Sequence, residues 1–299
     1  MSSSDNELVM LDTDIGSDID DALALAYLLR NSRCDLLGIT TVSGEPHLRA
    51  KIASAICREA GRPNIPIHVG AANPVFGPNR QPNAPHAGAL GDGGGADYAE
   101  QVTAIDFLRN EIRSRPGRIT LLAIGPLTNI ALLFAAEPEI PTLLKLLVLM
   151  GGQHTRWAPN RKVVAEWNLY CDPQAAAMVF AAPVEILAIG YDVTTLCSMK
   201  ADNCGERLAK PGMPKSIIPM ADIWLQHASE VVFHDPLAAA VIFDPTLCTY
   251  ERGLIEVETT SPRAAGMTYW SQDEHGRHVA ASSVNSAAFF KHYFDVIES

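Results

Sequence analysis

The sequence is poor in basic residues and contains no long apolar run. Of its 299 residues, 23 are Lys or Arg and 34 are Asp or Glu, which gives a formal net charge of −11. Proteins that bind nucleic acid or an anionic membrane surface need a basic face, so this charge balance argues against both functions. The apolar stretches are also too short to cross a bilayer.

Targeting and cysteine motifs are lacking as well. The amino-terminal segment, Met-Ser-Ser-Ser-Asp-Asn-Glu, has neither the basic nor the apolar region of a secretory signal peptide. We therefore expect a cytoplasmic protein. The six cysteines are scattered and form no C-x-x-C pair. This distribution favours buried, reduced thiols over a zinc site or a disulfide framework.

The chain does contain enough apolar residues, 47%, to build a large core. Apolar runs typical of strands alternate with amphipathic stretches along most of its length. This alternation predicts an α/β fold with an open, mostly parallel, Rossmann-like sheet flanked by helices. The predicted strands cover residues 36–42, 65–69, 119–124, 143–150 and 184–189, with further strands within 246–259 and 267–270. The predicted helices cover residues 47–60, 98–114, 127–136, 173–181 and 287–297. Because we find no internal repeat and no charged linker, we expect one domain over residues 1–299.

The most informative segment is an acidic turn near the amino end. It holds five carboxylates within ten residues and lies between the apolar Val9-Met10-Leu11 and the helix-like residues 22–29. The carboxyl edge of a strand is where open α/β sheets bind ligands. Crowded carboxylates repel one another unless they are solvated or held by a divalent cation, and oxygen-rich sites suit Ca²⁺ or Mg²⁺. A solvated loop with an N-capping Asp is the alternative, and we favour the metal site. The carboxylates are Asp12, Asp14, Asp18, Asp20 and Asp21.

Four further polar segments carry groups suited to binding or catalysis. Carboxylates and amides together suit vicinal hydroxyls, because carboxylates accept hydrogen bonds and amides both donate and accept them. Each segment also has an ordinary structural explanation: a helix cap at Thr128, turn chemistry at residues 166–168, an N-capping Asp235 before proline, and a loop position for His86. The segments are Gly125-Pro126-Leu127-Thr128-Asn129, Asn160 with Glu166-Trp167-Asn168, His234-Asp235-Pro236, and the Gly-rich stretch around His86.

Together these segments resemble the nucleoside hydrolases, the inosine–uridine preferring N-ribohydrolase family. The resemblance covers nearly the whole chain, and the motifs keep the family's order. Any one motif is weak, but six in register are specific. They are the acidic turn, Gly38-Ile39-Thr40-Thr41-Val42-Ser43-Gly44, Gly125-Pro126-Leu127-Thr128-Asn129, Met150-Gly151-Gly152, Glu166-x-Asn168 followed by Asp172-Pro173, and His234-Asp235-Pro236.

The resemblance implies a single Ca²⁺ at the bottom of a pocket. Its implied protein ligands are Asp14, Asp21, the backbone carbonyl of Thr128, and Asp235. Asp14 is also implied as the general base toward the attacking water. The implied reaction is hydrolysis of the N-glycosidic bond of ribonucleosides, through an oxocarbenium-like sugar.

The resemblance also implies roles at the two ends of the substrate. Four residues would bind the ribose: Asp20, Asn160, Glu166 and Asn168. Met150 would line the pocket, and His234 would contact the leaving base or donate a proton to it. The candidates for covering the base are His86, His227, Trp224 and Trp270. We further expect a homo-oligomer, a dimer or a tetramer, since such assemblies are common in the family.

The match departs from the family pattern at two places. The turn has Ile15 where the family has Pro, and two extra residues precede Asp20-Asp21, which places Asp18 in an insertion. An alternative alignment gives Asp18 a metal or ribose role. Glu45 stands where the family commonly has Asn. Its added negative charge predicts a preference for free nucleosides, because a 5′-phosphate would be repelled.

Two other functions compete with hydrolysis of nucleosides. Phosphatases that form an aspartyl-phosphate also begin with Asp-x-Asp after a strand, but they need a Lys motif that this sequence lacks. The second alternative is a nucleoside or sugar sensor on the same fold that has lost catalysis. The retention of Asp14 and His234 argues against it.

Overall fold

The computed structural model describes residues 6–91, 98, 102–154 and 164–299. Within these residues the strands are β1 Glu7–Thr13, β2 Cys34–Thr41, β3 Ile67–Val69, β4 Ile119–Ala123, β5 Leu146–Met150, β6 Ile186–Ile189, β7 Ser198–Lys200, β8 Glu230–Val232, β9 Cys248–Val257, β10 Thr268–Gln272 and β11 His278–Val284. The α-helices are α1 Asp20–Arg30, α2 Pro46–Glu59, α3 Ala104–Ser114, α4 Thr128–Ala136, α5 Ile140–Leu143, α6 Trp167–Cys171, α7 Pro173–Ala181, α8 Tyr191–Thr194, α9 Ala201–Leu208, α10 Ile217–Leu225, α11 His234–Ala240 and α12 Ser286–Glu298. No helix of the described residues is both long and apolar enough to span a membrane.

Nine of the described strands form one sheet, in the order β10-β9-β11-β6-β5-β4-β1-β2-β3. The strands from β11 to β3 pair in parallel, whereas β9 runs antiparallel to both β10 and β11. The central strands are buried almost throughout, as expected where helices cover both faces of a sheet. The predicted fold class, an open and mostly parallel sheet flanked by helices, is confirmed.

Helices pack on both faces and divide the core into two layers. One layer lies between the sheet and helices α1, α2, α11 and α12. The other lies between the sheet and helices α3, α4 and α7. Both layers consist mainly of aliphatic and aromatic side chains, so apolar burial holds the sheet in place from either side.

The structure differs from the predicted elements at several places, among them α3, β5 and β11. Helix α3 begins at Ala104, after Thr103 caps it by accepting the Asp106 N–H at 3.2 Å, and not at residue 98. The predicted strand 143–150 begins later, because residues 140–143 form helix α5. Strand β11 was missed, since its half-polar sequence becomes a strand only by pairing between β9 and β6.

The strand order places a crevice beside β1. The chain runs outward from β1 through β2 to β3, then returns to β4 on the other side of β1. Connections that leave two neighbouring strands in opposite directions open a crevice at their carboxyl ends, where α/β proteins bind ligands. The acidic turn follows β1 and Ile124 follows β4, so both segments meet at this point.

Candidate active site

A buried arginine holds the acidic turn after β1. Arg49 of α2 is fully buried, and its guanidinium donates to the carbonyls of Asp14, Ile15 (3.2 Å) and Asn83 (3.1 Å). Gly16 allows the turn, because its φ of +118° is unfavourable for other residues and an added Cβ would lie 2.6 Å from Ile52 Cδ1. The turn is therefore positioned by α2 as much as by β1.

Asp14 is oriented by a residue that the sequence did not single out. Gln81, between β3 and α3, donates through Nε2 to Asp14 Oδ2 at 2.6 Å and to Ser17 Oγ at 2.8 Å. Its Oε1 accepts the indole N–H of Trp167. A lone Gln in a loop carries no motif, so only the tertiary structure reveals this contact. Gln81 holds one carboxylate oxygen of Asp14 in a defined place.

Three carboxylates from two helices meet at the bottom of the crevice. Asp20 and Asp21 begin α1, and Asp235 lies in the first turn of α11. One oxygen from each lies within 4.8 Å of the other two, and all three side chains are buried. Asp20 Oδ2 accepts the Asp235 N–H at 3.2 Å, and Asp21 accepts the Thr13 hydroxyl. This group could hold a metal ion.

The electrostatics of the group favour a cation. Burial raises the pKa of Asp20, Asp21 and Asp235 well above the ordinary value of 3.8, and repulsion from neighbouring carboxylates raises each pKa further. Arg49 lowers the pKa of Asp21 but does not offset these effects. A divalent cation would restore the ionised forms, and an all-oxygen donor set suits hard ions such as Ca²⁺. The residues present therefore fit a hard metal ion.

Above the carboxylates lies a cavity of about 590 Å³, within the usual range for small-molecule sites. Its walls combine acidic groups with aromatic and apolar groups. The lining residues are Asp14, Ser17, Asp18, Asp20, Asp21, Gln81, Ile124, Met150, Val164, Ala165, Glu166, Trp167, Asn168, Tyr191, Trp224, His234 and Asp235.

Glu166 and Asn168 line the cavity on rigid supports. Glu166 caps α6 and accepts the N–H groups of Gly152 (3.1 Å), Asn168 (2.9 Å) and Leu169 (3.2 Å). Burial nevertheless raises its pKa to about 7. Asn168 Nδ2 donates to the carbonyls of Ile124 (2.9 Å) and Met150 (3.2 Å), which leaves its amide oxygen for a ligand. These groups can accept hydrogen bonds from sugar hydroxyls.

His234 lines the same cavity. Its ring stacks on Tyr191, with centroids 5.7 Å apart and an interplanar angle of 16°, and its Nδ1 lies 2.6 Å from Thr194 Oγ1. Burial lowers the pKa of His234 to about 4. Trp224 of α10 also lines the cavity. An imidazole and two aromatic rings suit a heterocyclic base.

Most of the predicted site residues come together in this cavity. Asp14, Asp20, Asp21, Met150, Glu166, Asn168, His234 and Asp235 all line it. Asn160 lies outside the described residues. Asp18, from the inserted part of the turn, also lines the cavity, but it is not part of the three-carboxylate group of the described residues.

Thr128 lies away from this cavity. It opens α4, so its carbonyl points along the helix toward the N–H four residues later. Its hydroxyl donates to Asp172 Oδ2 at 2.7 Å. The residue of this segment that lines the cavity is Ile124. Thr128 is thus not among the lining residues, and the metal contact through its carbonyl stays a prediction.

Three of the residues predicted to cover the base do not line the cavity either. His86 is 1% exposed in a 3₁₀ turn beside Gly16, and burial lowers its pKa to about 4, but it does not line the cavity. His227 is exposed and follows the end of α10. Trp270 of β10 packs against the core layer that lies between the sheet and helices α3, α4 and α7. Of the four candidates for covering the base, Trp224 is the one that lines the cavity.

The structure also shows the positions of Asp235 and Glu45. Asp235 is not an N-cap, because α11 begins at His234 and Phe233 precedes it. Glu45 is not among the residues that line the cavity, and it accepts the Ala84 N–H at 2.9 Å, so it holds the loop that carries Gln81. The preference for free nucleosides over 5′-phosphates stays a prediction.

Comparison with known proteins agrees with this geometry. The profile of the family described as inosine-uridine preferring nucleoside hydrolase matches residues 9–291. A non-specific ribonucleoside hydrolase RihC of Salmonella newport is 34% identical over 273 residues, covering 87% of this chain and 86% of that protein. Uridine nucleosidase 1 of Arabidopsis thaliana is 30% identical over 268 residues, covering 85% and 79%.

A solved structure extends the similarity to the fold. The purine-preferring ribonucleoside hydrolase from Gardnerella vaginalis superimposes with a TM-score of 0.83 at 25% identity, covering 98% of each chain. The family profile spans most of the sequence, and the cavity lies where the strand order predicts a ligand site. The chain belongs to the inosine-uridine preferring nucleoside hydrolase family.

Proposed function

We propose that this protein hydrolyses the N-glycosidic bond of ribonucleosides, with Ca²⁺ as its metal ion, to release ribose and the free base. The observation that carries the proposal is that three clustered carboxylates, His234 and aromatic side chains all line one cavity. A ribonucleoside has the matching polarity, with hydroxyls on the sugar and an aromatic base.

The metal ion has a defined place in this proposal. Asp20, Asp21 and Asp235 would hold it, because their oxygens converge and their mutual repulsion calls for a positive charge. The resemblance instead implies Asp14 as a ligand and Asp20 as a ribose contact, and both of these roles stay predictions. A bound Ca²⁺ would orient the sugar hydroxyls and acidify the attacking water.

The protein's own groups account for the remaining chemistry. Asp14, held by Gln81 through one oxygen, accepts a proton from the attacking water. Glu166 and Asn168 place oxygens around the sugar, where they stabilise the positive charge that develops as the bond to the base breaks. His234 contacts the leaving base from the aromatic end. Each group thus acts where charge or a proton moves.

The first test is release of ribose from inosine, guanosine, adenosine, uridine and cytidine, with Ca²⁺ and with a calcium chelator in excess. We expect release with Ca²⁺ and its loss with the chelator, because the carboxylates cannot bind the sugar without a cation. Inosine 5′-monophosphate provides a further arm, and we expect slower release because the cavity is acidic. Absence of release from every nucleoside with Ca²⁺ present would reject the proposal.

A second test measures the ion without any substrate. At 100 times its Kd, a ligand stabilises the fold by about 2.7 kcal/mol, which corresponds to a rise in Tm of about 5 °C or more. We expect this rise with Ca²⁺, measured by calorimetry on chelator-treated protein, and a smaller one with Mg²⁺ because Mg²⁺ demands stricter geometry.

The rise in Tm that Ca²⁺ produces should depend on pH. The folded pKa values of Asp20, Asp21 and Asp235 lie above the ordinary value of 3.8. The cation-free fold is therefore destabilised progressively as pH increases from about 4 through these folded pKa values. Calcium should consequently raise Tm more at pH 8 than at pH 5. An equal rise at both pH values would contradict binding at these carboxylates.

The quaternary structure and location stay predictions. Sedimentation or light scattering would test the expected dimer or tetramer, and fractionation of cells would test the cytoplasmic location.

A further inference from the structure

His234 is supported by a short helix that no sequence motif pointed to. Helix α8 supplies both the Tyr191 ring that stacks on the imidazole and the Thr194 hydroxyl that lies 2.6 Å from its Nδ1. Thr194 is fully buried. The backbone joins the two segments, since the Phe233 N–H donates to the Cys197 carbonyl at 2.8 Å. The imidazole is thus fixed both over its face and at one ring nitrogen.

The contact distances favour one direction for the Thr194 hydroxyl. Its oxygen lies 3.4 Å from the Tyr191 carbonyl, which is long for a hydrogen bond, and 2.6 Å from Nδ1 of His234. We assign the hydroxyl proton to the shorter contact, with Nδ1 as the acceptor.

An imidazole that accepts at Nδ1 carries its proton on Nε2, because the neutral ring has one N–H. Since Nδ1 is used by Thr194, Nε2 is the nitrogen that His234 can offer to a ligand in the cavity. A neutral imidazole does not readily lose its remaining proton, but it can polarise a substrate by hydrogen bonding. This geometry favours a hydrogen bond over proton transfer at the base end.

We propose that Thr194 is a positioning residue, which donates to Nδ1 of His234 and so fixes the Nε2–H tautomer that hydrogen-bonds the leaving base. In the step, the electron pair of the C1′–N bond departs with the base and the proton stays on Nε2. The base takes up a proton from solvent after it leaves. This inference rests on the proposed nucleoside hydrolysis.

The test compares two leaving groups. A nucleoside base departs as a reactive anion and needs the hydrogen bond, whereas p-nitrophenolate is a stable anion and does not. With Ca²⁺ saturating, Thr194→Val should lower kcat about tenfold on the best nucleoside substrate, the scale of one hydrogen bond to a charged group. Its rate on p-nitrophenyl riboside should stay near the wild-type value. Thr194→Ser keeps the hydroxyl and should restore the nucleoside rate.

A matched control is available on the surface. Thr142 of α5 is exposed, and its hydroxyl donates to the carbonyl of Glu139, three residues earlier. Thr142→Val should leave both rates unchanged. An equal fall on both substrates in Thr194→Val would show a merely structural role for Thr194 and overturn the inference, as would an unchanged nucleoside rate.

The tautomer itself can be measured by ¹⁵N NMR of the histidine rings. The His234 signals are identified by their loss in His234→Gln. We expect an unprotonated Nδ1 and a protonated Nε2 in the wild-type protein, and a mixture of tautomers in Thr194→Val. A protonated Nδ1 in the wild type would overturn the inference while leaving nucleoside hydrolysis intact. If the wild type hydrolyses neither substrate, the proposed function fails and this inference fails with it.

Discussion

Replacing Asp14 by Asn is expected to lower kcat for nucleoside hydrolysis by about 10²–10⁴-fold, the usual contribution of a general base. The amide has the same shape but cannot accept the proton of the attacking water. Its oxygen can still accept the hydrogen bond from Gln81 Nε2, so the turn should keep its geometry. The loss should appear in kcat more than in KM, because binding of the sugar is largely retained.

The controls for Asp14→Asn lie in the same chain. Asp35 is exposed on β2, and Asp35→Asn should leave kcat unchanged. Calorimetry should show that Asp14→Asn still gains stability from Ca²⁺, which separates loss of the base from loss of the ion. Turnover in Asp14→Asn close to that of the wild type would reject Asp14 as the base. A sensor that lacks catalysis would show no turnover even in the wild type.

Asp18→Asn tests the alternative alignment of the acidic turn. Asp18 lines the cavity, but its Oδ1 already accepts the Ile19 N–H at 2.5 Å. We therefore expect a smaller loss than in Asp14→Asn. A larger loss would assign Asp18 the role that the present alignment gives to Asp14 or Asp20.

Asp235→Asn is expected to weaken Ca²⁺ binding by at least about 100-fold, since it removes one of three converging carboxylates. Substitution of residues that only hydrogen-bond to metal ligands already weakens metal binding by about 10–100-fold. Activity at a fixed, moderate Ca²⁺ concentration should fall at least as far. Titration calorimetry with Ca²⁺ measures the affinity directly.

The same substitution should stabilise the cation-free protein at neutral pH. Burial and repulsion from Asp20 and Asp21 raise the pKa of Asp235 in the folded protein. At pH values above the ordinary pKa of Asp, ionisation of Asp235 therefore destabilises the fold. A neutral amide removes this repulsion. We therefore expect Asp235→Asn to have a higher Tm than the wild type in chelator, and a lower Tm than the wild type in Ca²⁺.

The reversal in the order of the two Tm values between chelator and Ca²⁺ is specific to a cation site. Asp222→Asn, on an exposed position of α10, should show neither effect. If Asp235→Asn kept the full rise in Tm with Ca²⁺, the ion would have to bind elsewhere. If it were less stable than the wild type in chelator, Asp235 would be serving a structural role through its hydrogen bonds.

The sequence by itself determined the fold class and most of the polar groups in the cavity. Short apolar runs bounded by turn residues, such as those of β1 and β4, favour strands that are buried on both faces. The acidic turn after β1 was recognisable because so many carboxylates need either solvent or a cation. These signals are local, and each is contained in fewer than about fifteen residues.

The tertiary structure alone decided which groups act together. Asp235 reaches Asp20 and Asp21 because α11 packs on α1, although the helices are far apart in the chain. Gln81 at Asp14 and Thr194 at His234 are single polar residues in unremarkable surroundings, so no local pattern could identify them. Thr128 and His86 were singled out in the sequence but do not line the cavity, since long-range packing decides which side chains reach it. Residue type can be read from the sequence, but convergence of side chains depends on long-range packing.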